Sequence, residues 1–124
     1  MMDKIIMKDM AFYGYHGVLE EEKTLGQKFY IDAELKLDLK QAGGSDDLNH
    51  TVNYGKVYET IEEIVVNERF DLLEALGDRI CSQILLSFEK IECIKLEIRK
   101  PNAPVPGIFD YFAVEIKRSR KDYE

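Results

Sequence analysis

Phe29-Tyr30-Ile31-Asp32-Ala33-Glu34-Leu35-Lys36-Leu37-Asp38-Leu39, residues 29 to 39, is the stretch whose pattern decides the fold. Phe29, Ile31, Ala33, Leu35, Leu37 and Leu39 occupy every second position, while Asp32, Glu34, Lys36 and Asp38 lie between them. Successive side chains of an extended chain point to opposite faces. The alternation therefore predicts a long strand with one buried and one wet face, as in an antiparallel sheet. Before it, a strand is predicted from about Lys4 to Phe12, separated by a loop that contains Gly14, Gly17 and Gly26. That loop is long for a hairpin, and long loops on a rigid scaffold are where function concentrates.

After it, residues 41–53, with Gly43, Gly44, Ser45, Asp46 and Asp47, interrupt the pattern before the spacing turns helical. Val57, Ile61, Ile64 and Val65 then share one helix face, and Leu73, Leu76, Ile80, Ile84 and Phe88 form the stripe of a second helix over roughly Leu72 to Phe88. Gly77 inside that helix implies close packing, since it costs helix propensity. Two further strands are predicted, about Ile91 to Lys100 and Ile108 to Arg118. The latter alternates Phe112, Val114 and Ile116 against Ala113, Glu115 and Lys117. The order strand-strand-helix-helix-strand-strand predicts an α+β fold, a four-stranded antiparallel sheet with two helices on one face, and no internal repeat is visible. The outer strands offer open edges to another chain, which points to an oligomer. The alternative is a monomer whose edges are blunted by Lys and Glu.

Composition bounds the function. The chain has 124 residues, expected to form one domain, 1–124, with a charged tail at about 119–124. A formal charge of −7 argues against a nucleic-acid partner, because a phosphate backbone calls for a basic face. The one basic run, Lys117 to Lys121, is broken by Ser119, followed by acids, and expected to be a solvated tail. No apolar run reaches the length of a membrane span, and Met-Met-Asp-Lys at the start has no apolar signal core, so a cytoplasmic location and no membrane partner are expected. Cys81 and Cys93 fall in segments patterned as helix and strand and are expected to be reduced packing residues. Neither they nor His16 and His50 have metal-ligand spacing, so no metal is expected.

Four positions could carry chemistry. In Cys93-Ile94-Lys95-Leu96-Glu97-Ile98-Arg99-Lys100, the alternation puts Lys100 on the apolar side with Ile94, Leu96 and Ile98. It leads into a loop stiffened by Pro101, Pro104 and Pro106. A partly desolvated ammonium there suits proton transfer; the alternative is a strand-end lysine reaching back to water. Glu74, among Leu72, Leu73, Ala75 and Leu76, could grip a guanidine-like donor pair through two parallel hydrogen bonds, or could be a helix-start acid favoured by the macrodipole. Tyr54 offers a stacking face and a hydroxyl, or simple packing. Glu22 lies in the run Glu20-Glu21-Glu22, a pattern that usually means a solvated acidic loop.

Taken together, Phe12-Tyr13-Gly14-Tyr15-His16-Gly17-Val18, Glu22, Gly26-Gln27, Thr51-Val52-Asn53-Tyr54-Gly55, Leu72-Leu73-Glu74 and Lys100-Pro-Asn-Ala-Pro-Val-Pro-Gly107 closely resemble the dihydroneopterin aldolase family of folate biosynthesis. The motifs occur in the family's order over nearly the whole chain. The resemblance implies a tunnelling fold, in which sheets from several subunits join into a barrel with helices outside, as a homo-octamer of two stacked tetrameric rings. It implies 7,8-dihydroneopterin as the pterin substrate, cleaved to 6-hydroxymethyl-7,8-dihydropterin and glycolaldehyde, with epimerisation at C2′ as a companion activity and no cofactor. Lys100, Tyr54 and Glu22 would be catalytic. Glu22, Tyr54, Leu73, Glu74 and Val52 would bind substrate, with Tyr54 serving the pocket of a neighbouring chain.

Rival classes fit less well. A triphosphate epimerase of the same fold needs a basic cluster that these loops lack, and zinc-dependent pterin enzymes need ligands that two His and two Cys do not supply in spacing. A catalytically silent pterin-binding scaffold would have no need of Lys100 together with Tyr54 and Glu22.

Overall fold

The structure is a computed structural model describing residues 2–124. Its strands are β1 (Asp3–Gly14), β2 (Gln27–Leu37), β3 (Cys93–Lys100) and β4 (Phe112–Ser119), paired antiparallel in the order β1-β2-β3-β4. The helices are α1 (Glu20–Leu25), α2 (Lys40–Ser45), α3 (Tyr54–Asn67) and α4 (Leu73–Ser87), with 3-10 turns at Leu48–His50 and Arg120–Tyr123. The α+β arrangement expected from the alternation is what forms.

β2 is the centre of the fold. Phe29, Ile31, Ala33 and Leu35 are fully buried on one face, and their partners across β3 are buried too, with Ile31 opposite Ile98, Ala33 opposite Leu96 and Leu35 opposite Ile94. α3 covers this face with Val57, Ile61, Ile64 and Val65, and α4 with Leu76, Ile80, Cys81, Ile84 and Leu85. Each such aliphatic side chain contributes roughly 1.5–3 kcal/mol on burial, so register and helix docking are fixed by the same residues. The expected close packing at Gly77 is found. A Cβ there would lie 2.8 Å from Ile116 Cδ1 and 3.5 Å from Ile98 Cδ1. Because Gly77 meets Ile98 while the far end of α4 lies beside Ile91, α4 runs antiparallel to β3, and its N-terminus lies at the Lys100 end of the sheet.

The other sheet face is a lattice of charges. Arg99 donates to Asp32 at 2.8 Å, to Glu97 at 2.6 Å and to Asp9 at 2.6 Å. Asp9 sits at φ 55° in the bulge between Met7 and Met10, where β1 loses register with β2, and its N–H donates to Asp32. Burial would raise the Asp32 carboxyl, but the Arg99 guanidinium and the Asp9 N–H outweigh it and hold it below the ordinary range.

Several boundaries differ from the sequence expectations. β1 and β2 reach further toward the loop, to Gly14 and from Gln27. β3 starts at Cys93 instead of Ile91, because the Ile91 N–H closes a turn onto the Phe88 carbonyl. β4 starts at Phe112 instead of Ile108. Pro101, Pro104 and Pro106 supply no ladder N–H, and residues 101–111 stay irregular. The tail is exposed from Lys121 to Glu124, as expected, but it is tied down at two points. Arg120 donates to the carbonyls of Leu85, Phe88 and Ile91, and the Tyr123 hydroxyl to Asp78 at 2.6 Å. Both cysteines are free thiols. Cys81 is buried, which pushes its thiol up to about 12, whereas Cys93 is only half-buried.

Candidate active site

Lys100 ends β3 on the helix-covered face, directly after Ile94, Leu96 and Ile98. Its side chain is 13% exposed, and Nζ is ion-paired with Oε2 of Glu22. The ammonium therefore turns inward, to a carboxylate, instead of reaching back to water.

Glu22 comes from α1, the single short helix in what the sequence marks as a glycine loop. Of the three consecutive acids, Glu20 and Glu21 stay exposed and Glu22 alone is buried, because one turn of helix aims only every third or fourth side chain inward. The expectation of a solvated acidic loop is thus corrected at Glu22. Its Oε1 accepts the Leu19 N–H at 3.3 Å, and its Oε2 accepts the Gln27 amide at 3.2 Å. Gly17 makes room for it: at φ 151°, a Cβ would stand 2.3–2.6 Å from the Glu22 carboxyl atoms. Burial would raise the Glu22 carboxyl. The Lys100 ammonium, the Leu19 N–H and the Gln27 amide outweigh that and hold it below the usual glutamate value.

His16, one residue before Gly17, has no exposure at all. Its Nε2 lies 2.8 Å from the Val65 carbonyl at the end of α3, and its Nδ1 accepts the Phe70 N–H at 3.2 Å, an arrangement that requires the Nε2–H tautomer. The Gly17 N–H donates to the Phe70 carbonyl at 3.0 Å. Phe70 stacks on the imidazole and leads within one turn into Leu73 and Glu74 at the start of α4. Leu73 is half-buried and Glu74 exposed, both at the Lys100 end of the sheet.

Val52 and Tyr54 lie elsewhere. Val52 is buried in the core beside the N-terminus of α3, and Tyr54, the first residue of that helix, is 65% exposed. Asn53 caps the helix by accepting the Gly55 N–H at 3.0 Å. The C-terminal end of α3 is the one that touches His16, so Tyr54 stands about 16 Å away along the helix axis, at 1.5 Å per residue. Two open clefts reflect this split. One, of 370 Å³, is lined by Leu19, Glu22, Gln27, Asn102 and Pro104; the other, of 510 Å³, by Val52, Asn53, Lys56 and Phe88 among others. The six candidate residues thus form two groups at opposite ends of one chain, Glu22, Leu73, Glu74 and Lys100 at one and Val52 and Tyr54 at the other. Among the described residues no three His, Cys, Asp or Glu side chains gather closely enough to hold a metal ion.

An inward-facing ammonium–carboxylate pair whose Glu22 lines a cleft can hold and move a proton, and an exposed acid at the start of α4 can grip paired N–H donors. The motifs around these groups match a known family: the model for dihydroneopterin aldolase, FolB, covers residues 5–117. The chain belongs to the dihydroneopterin aldolase family.

The dihydroneopterin aldolase of Methylorubrum extorquens is 47% identical over 122 residues, 98% of this chain and 94% of that one. The dihydroneopterin aldolase of Bacillus subtilis is 41% identical over 119 residues, 96% and 99% of the two chains. The crystal structure of E. coli dihydroneopterin aldolase in complex with neopterin superposes with a TM-score of 0.85 at 26% identity, over 95% of this chain and all of that one. By family and by these relatives the chain is an aldehyde-lyase, a dihydroneopterin aldolase in class. Within that frame, two groups of the site escaped the sequence argument. Gln27 stood only as part of a motif, yet it is buried, holds Glu22 and keeps Oε1 without a partner among the described residues. His16 likewise stands in the sequence only within a motif and as a histidine without metal-ligand spacing, yet it is fully buried.

Proposed function

We propose that this chain cleaves the C1′–C2′ bond of 7,8-dihydroneopterin by a retro-aldol step that needs neither a metal nor a lysine Schiff base. The products are 6-hydroxymethyl-7,8-dihydropterin and glycolaldehyde. The observation that carries the proposal is the inward-facing Lys100–Glu22 pair, set at the same end of the sheet as Leu73 and Glu74.

The substrate supplies its own electron sink. The C2′ hydroxyl loses its proton, C2′ becomes the aldehyde carbon of glycolaldehyde, and the electrons of the broken bond move through C1′ and C6 to N5, which takes up a proton. Protonation of the resulting enamine at C1′, with loss of the N5 proton, restores the N5=C6 imine in the product, so no oxidant or covalent partner is required. Lys100 serves as the proton carrier near N5. Glu22 orients the side-chain hydroxyls or a water beside them. Glu74 accepts the paired 2-amino and N3 hydrogens, with the Leu73 backbone beside it, while Tyr54 and the Val52 backbone complete ring recognition and Tyr54 relays the C2′ hydroxyl proton. Re-addition of the same enamine to the opposite face of the glycolaldehyde carbonyl gives the C2′ epimer, so epimerase activity follows from the same intermediate.

The distance between the two groups supports a site shared by two chains, with Val52 and Tyr54 supplied by a neighbour. The assembly we propose is a homo-octamer of two stacked tetrameric rings, in which the edge strands β1 and β4 pair between subunits and close a barrel. A cytoplasmic setting is part of the same proposal and accords with two free thiols. The test is incubation of metal-stripped protein with 7,8-dihydroneopterin and chromatography of the products. Appearance of 6-hydroxymethyl-7,8-dihydropterin and glycolaldehyde is expected. Binding with no cleavage and no epimer would replace the enzyme with a pterin-binding protein.

A further inference from the structure

We infer that His16 is a positioning residue, which fixes the separation between the ring anchor at Leu73–Glu74 and the Lys100–Glu22 pair. The inference rests on the aldolase assignment of that site.

The two working ends of the half-site lie on different elements, and among the described residues no hydrogen bond or ion pair joins them directly. Leu73 and Glu74 start α4; Glu22 and Lys100 come from α1 and the end of β3. What joins them is a short chain of contacts through His16. On one side, its ring is bonded through both nitrogens to the 65–70 segment, to Val65 O at 2.8 Å and from Phe70 N at 3.2 Å, with the Gly17 N–H to Phe70 O at 3.0 Å alongside. On the other, Gly17 lies against the Glu22 carboxylate so closely that no Cβ fits, and Glu22 holds Lys100. His16 also packs edge-on against Phe29 at the end of β2, with centroids 5.3 Å apart, so it is braced on the sheet.

The imidazole is suited to this in a way its neighbours are not. A flat ring with a donor on one nitrogen and an acceptor on the other bridges a carbonyl and an N–H about five residues apart at the point where the chain leaves α3 for α4. The bond to Val65 O is buried and the one from Phe70 N partly so, and each loss leaves a carbonyl or N–H without its partner. Such a loss shifts the 65–70 segment, and the anchor with it, relative to the ion pair. A displacement on the order of 1 Å between binding and reacting groups costs about 10²-fold in rate.

The test compares wild type, His16→Phe and His16→Gln, with steady-state kinetics on 7,8-dihydroneopterin, neopterin binding by fluorescence and urea midpoints. His16→Phe keeps the ring stack and loses both hydrogen bonds. It is expected to bind neopterin nearly as wild type does, while kcat falls about 10²-fold, as expected for misplaced reacting groups. His16→Gln keeps a donor and an acceptor and is expected to recover part of kcat. If His16→Phe does not fold, His16→Gln alone decides: lowered kcat with retained neopterin binding supports the role. Unchanged kcat in a folded variant overturns it, as does a parallel loss of kcat, binding and stability that Gln does not relieve. An active wild type with an unaffected His16→Phe defeats this inference alone, whereas an inactive wild type defeats the aldolase assignment and this inference with it.

Discussion

Lys100 Nζ and Glu22 Oε2 are in contact although one ends β3 and the other sits in a helical turn between β1 and β2. The pair is nearly closed to solvent, so each charge depends on the other. Proton transfer by a positioned side chain is worth about 10²–10⁴-fold in rate, and Lys100→Ala is expected to lose turnover on that scale with a modest loss of pterin affinity. Glu74→Ala, by contrast, should chiefly weaken binding. kcat and neopterin Kd measured on both variants check this. The opposite pattern would exchange the two roles.

Gly17 permits that pair to form. Its φ of 151° lies where L side chains are strained, and its missing Cβ leaves space for the Glu22 carboxyl. Backbone strain of this kind costs on the order of 1–3 kcal/mol, so Gly17→Ala should lower the urea midpoint and, by displacing Glu22, also kcat. A variant with wild-type midpoint and rate would show that the loop adapts without cost.

Acid should weaken the fold first through His16 and then through lowered carboxylates, Glu22 among them. His16 is held below its ordinary pKa, first by burial, against the Val65 carbonyl that favours the proton; Lys100 from β3 and Arg69 beside Phe70 disfavour it, and Glu68 favours it slightly. An unfolded histidine takes up a proton below about pH 6.5, and the folded one resists until lower pH. The unfolded state then binds more protons, so stability is fully present above that value and declines as pH falls through the folded-state pKa. Glu22, also lowered, adds a second decline below the ordinary glutamate value of about 4.3. Urea midpoints taken between about pH 7 and pH 5 should slope in wild type and be nearly flat in His16→Phe. Equal slopes would assign the dependence to other groups.

What the sequence disclosed follows from how locally each feature is encoded. The alternation from Phe29 to Leu37 carries its own burial pattern, so the strand, its buried face and the sheet class were readable. Lys100 on the apolar side followed from the same rule applied to Ile94, Leu96 and Ile98. α1 was not readable, because Glu20-Glu21-Glu22-Lys23 has no apolar period; what buries Glu22 is Lys100, distant in sequence, and the gap left by Gly17. His16 gave no signal either, since its two partners, Val65 and Phe70, belong to the junction of helices α3 and α4. Arg120 misled for the same reason. In a charged run it reads as solvated, and only the fold brings three carbonyls to its guanidinium.

Arg120 closes the C-terminal end of α4 by donating to Leu85 O, Phe88 O and Ile91 O at 2.6, 2.9 and 2.7 Å. These include carbonyls that the helix end leaves without intrahelical donors. Hydrogen bonds from a charged donor are worth about 1.5–3 kcal/mol each in favourable cases, and Arg120 is only half-buried, so Arg120→Ala is expected to cost about 2–3 kcal/mol in all. Arg120→Lys should recover little, because an ammonium cannot match the planar fork. A change in urea midpoint near zero for Arg120→Ala would return this segment to the solvated tail its composition suggests.

The separation of Tyr54 from Lys100 gives the sharpest test of a shared site. If one chain supplied all the groups, Lys100→Ala and Tyr54→Ala would each be dead, and mixing them would stay dead. If Tyr54 serves a neighbour's Lys100–Glu22 pair, a mixed oligomer contains interfaces in which an intact Tyr54 end from one variant meets an intact Lys100 end from the other. Co-refolding the two inactive proteins from urea should then regain a fraction of wild-type turnover, rising and falling with the mixing ratio and highest near equal amounts. Mixing without unfolding should regain less, because subunits first have to exchange. As a control, Lys100→Ala mixed with Glu22→Ala should regain nothing, since both lesions fall in the same half of the site and no interface escapes them. No recovery in the Tyr54 mixture would mean that Tyr54 acts within its own chain or not at all, whereas recovery in the control would mean that Lys100 and Glu22 serve different sites.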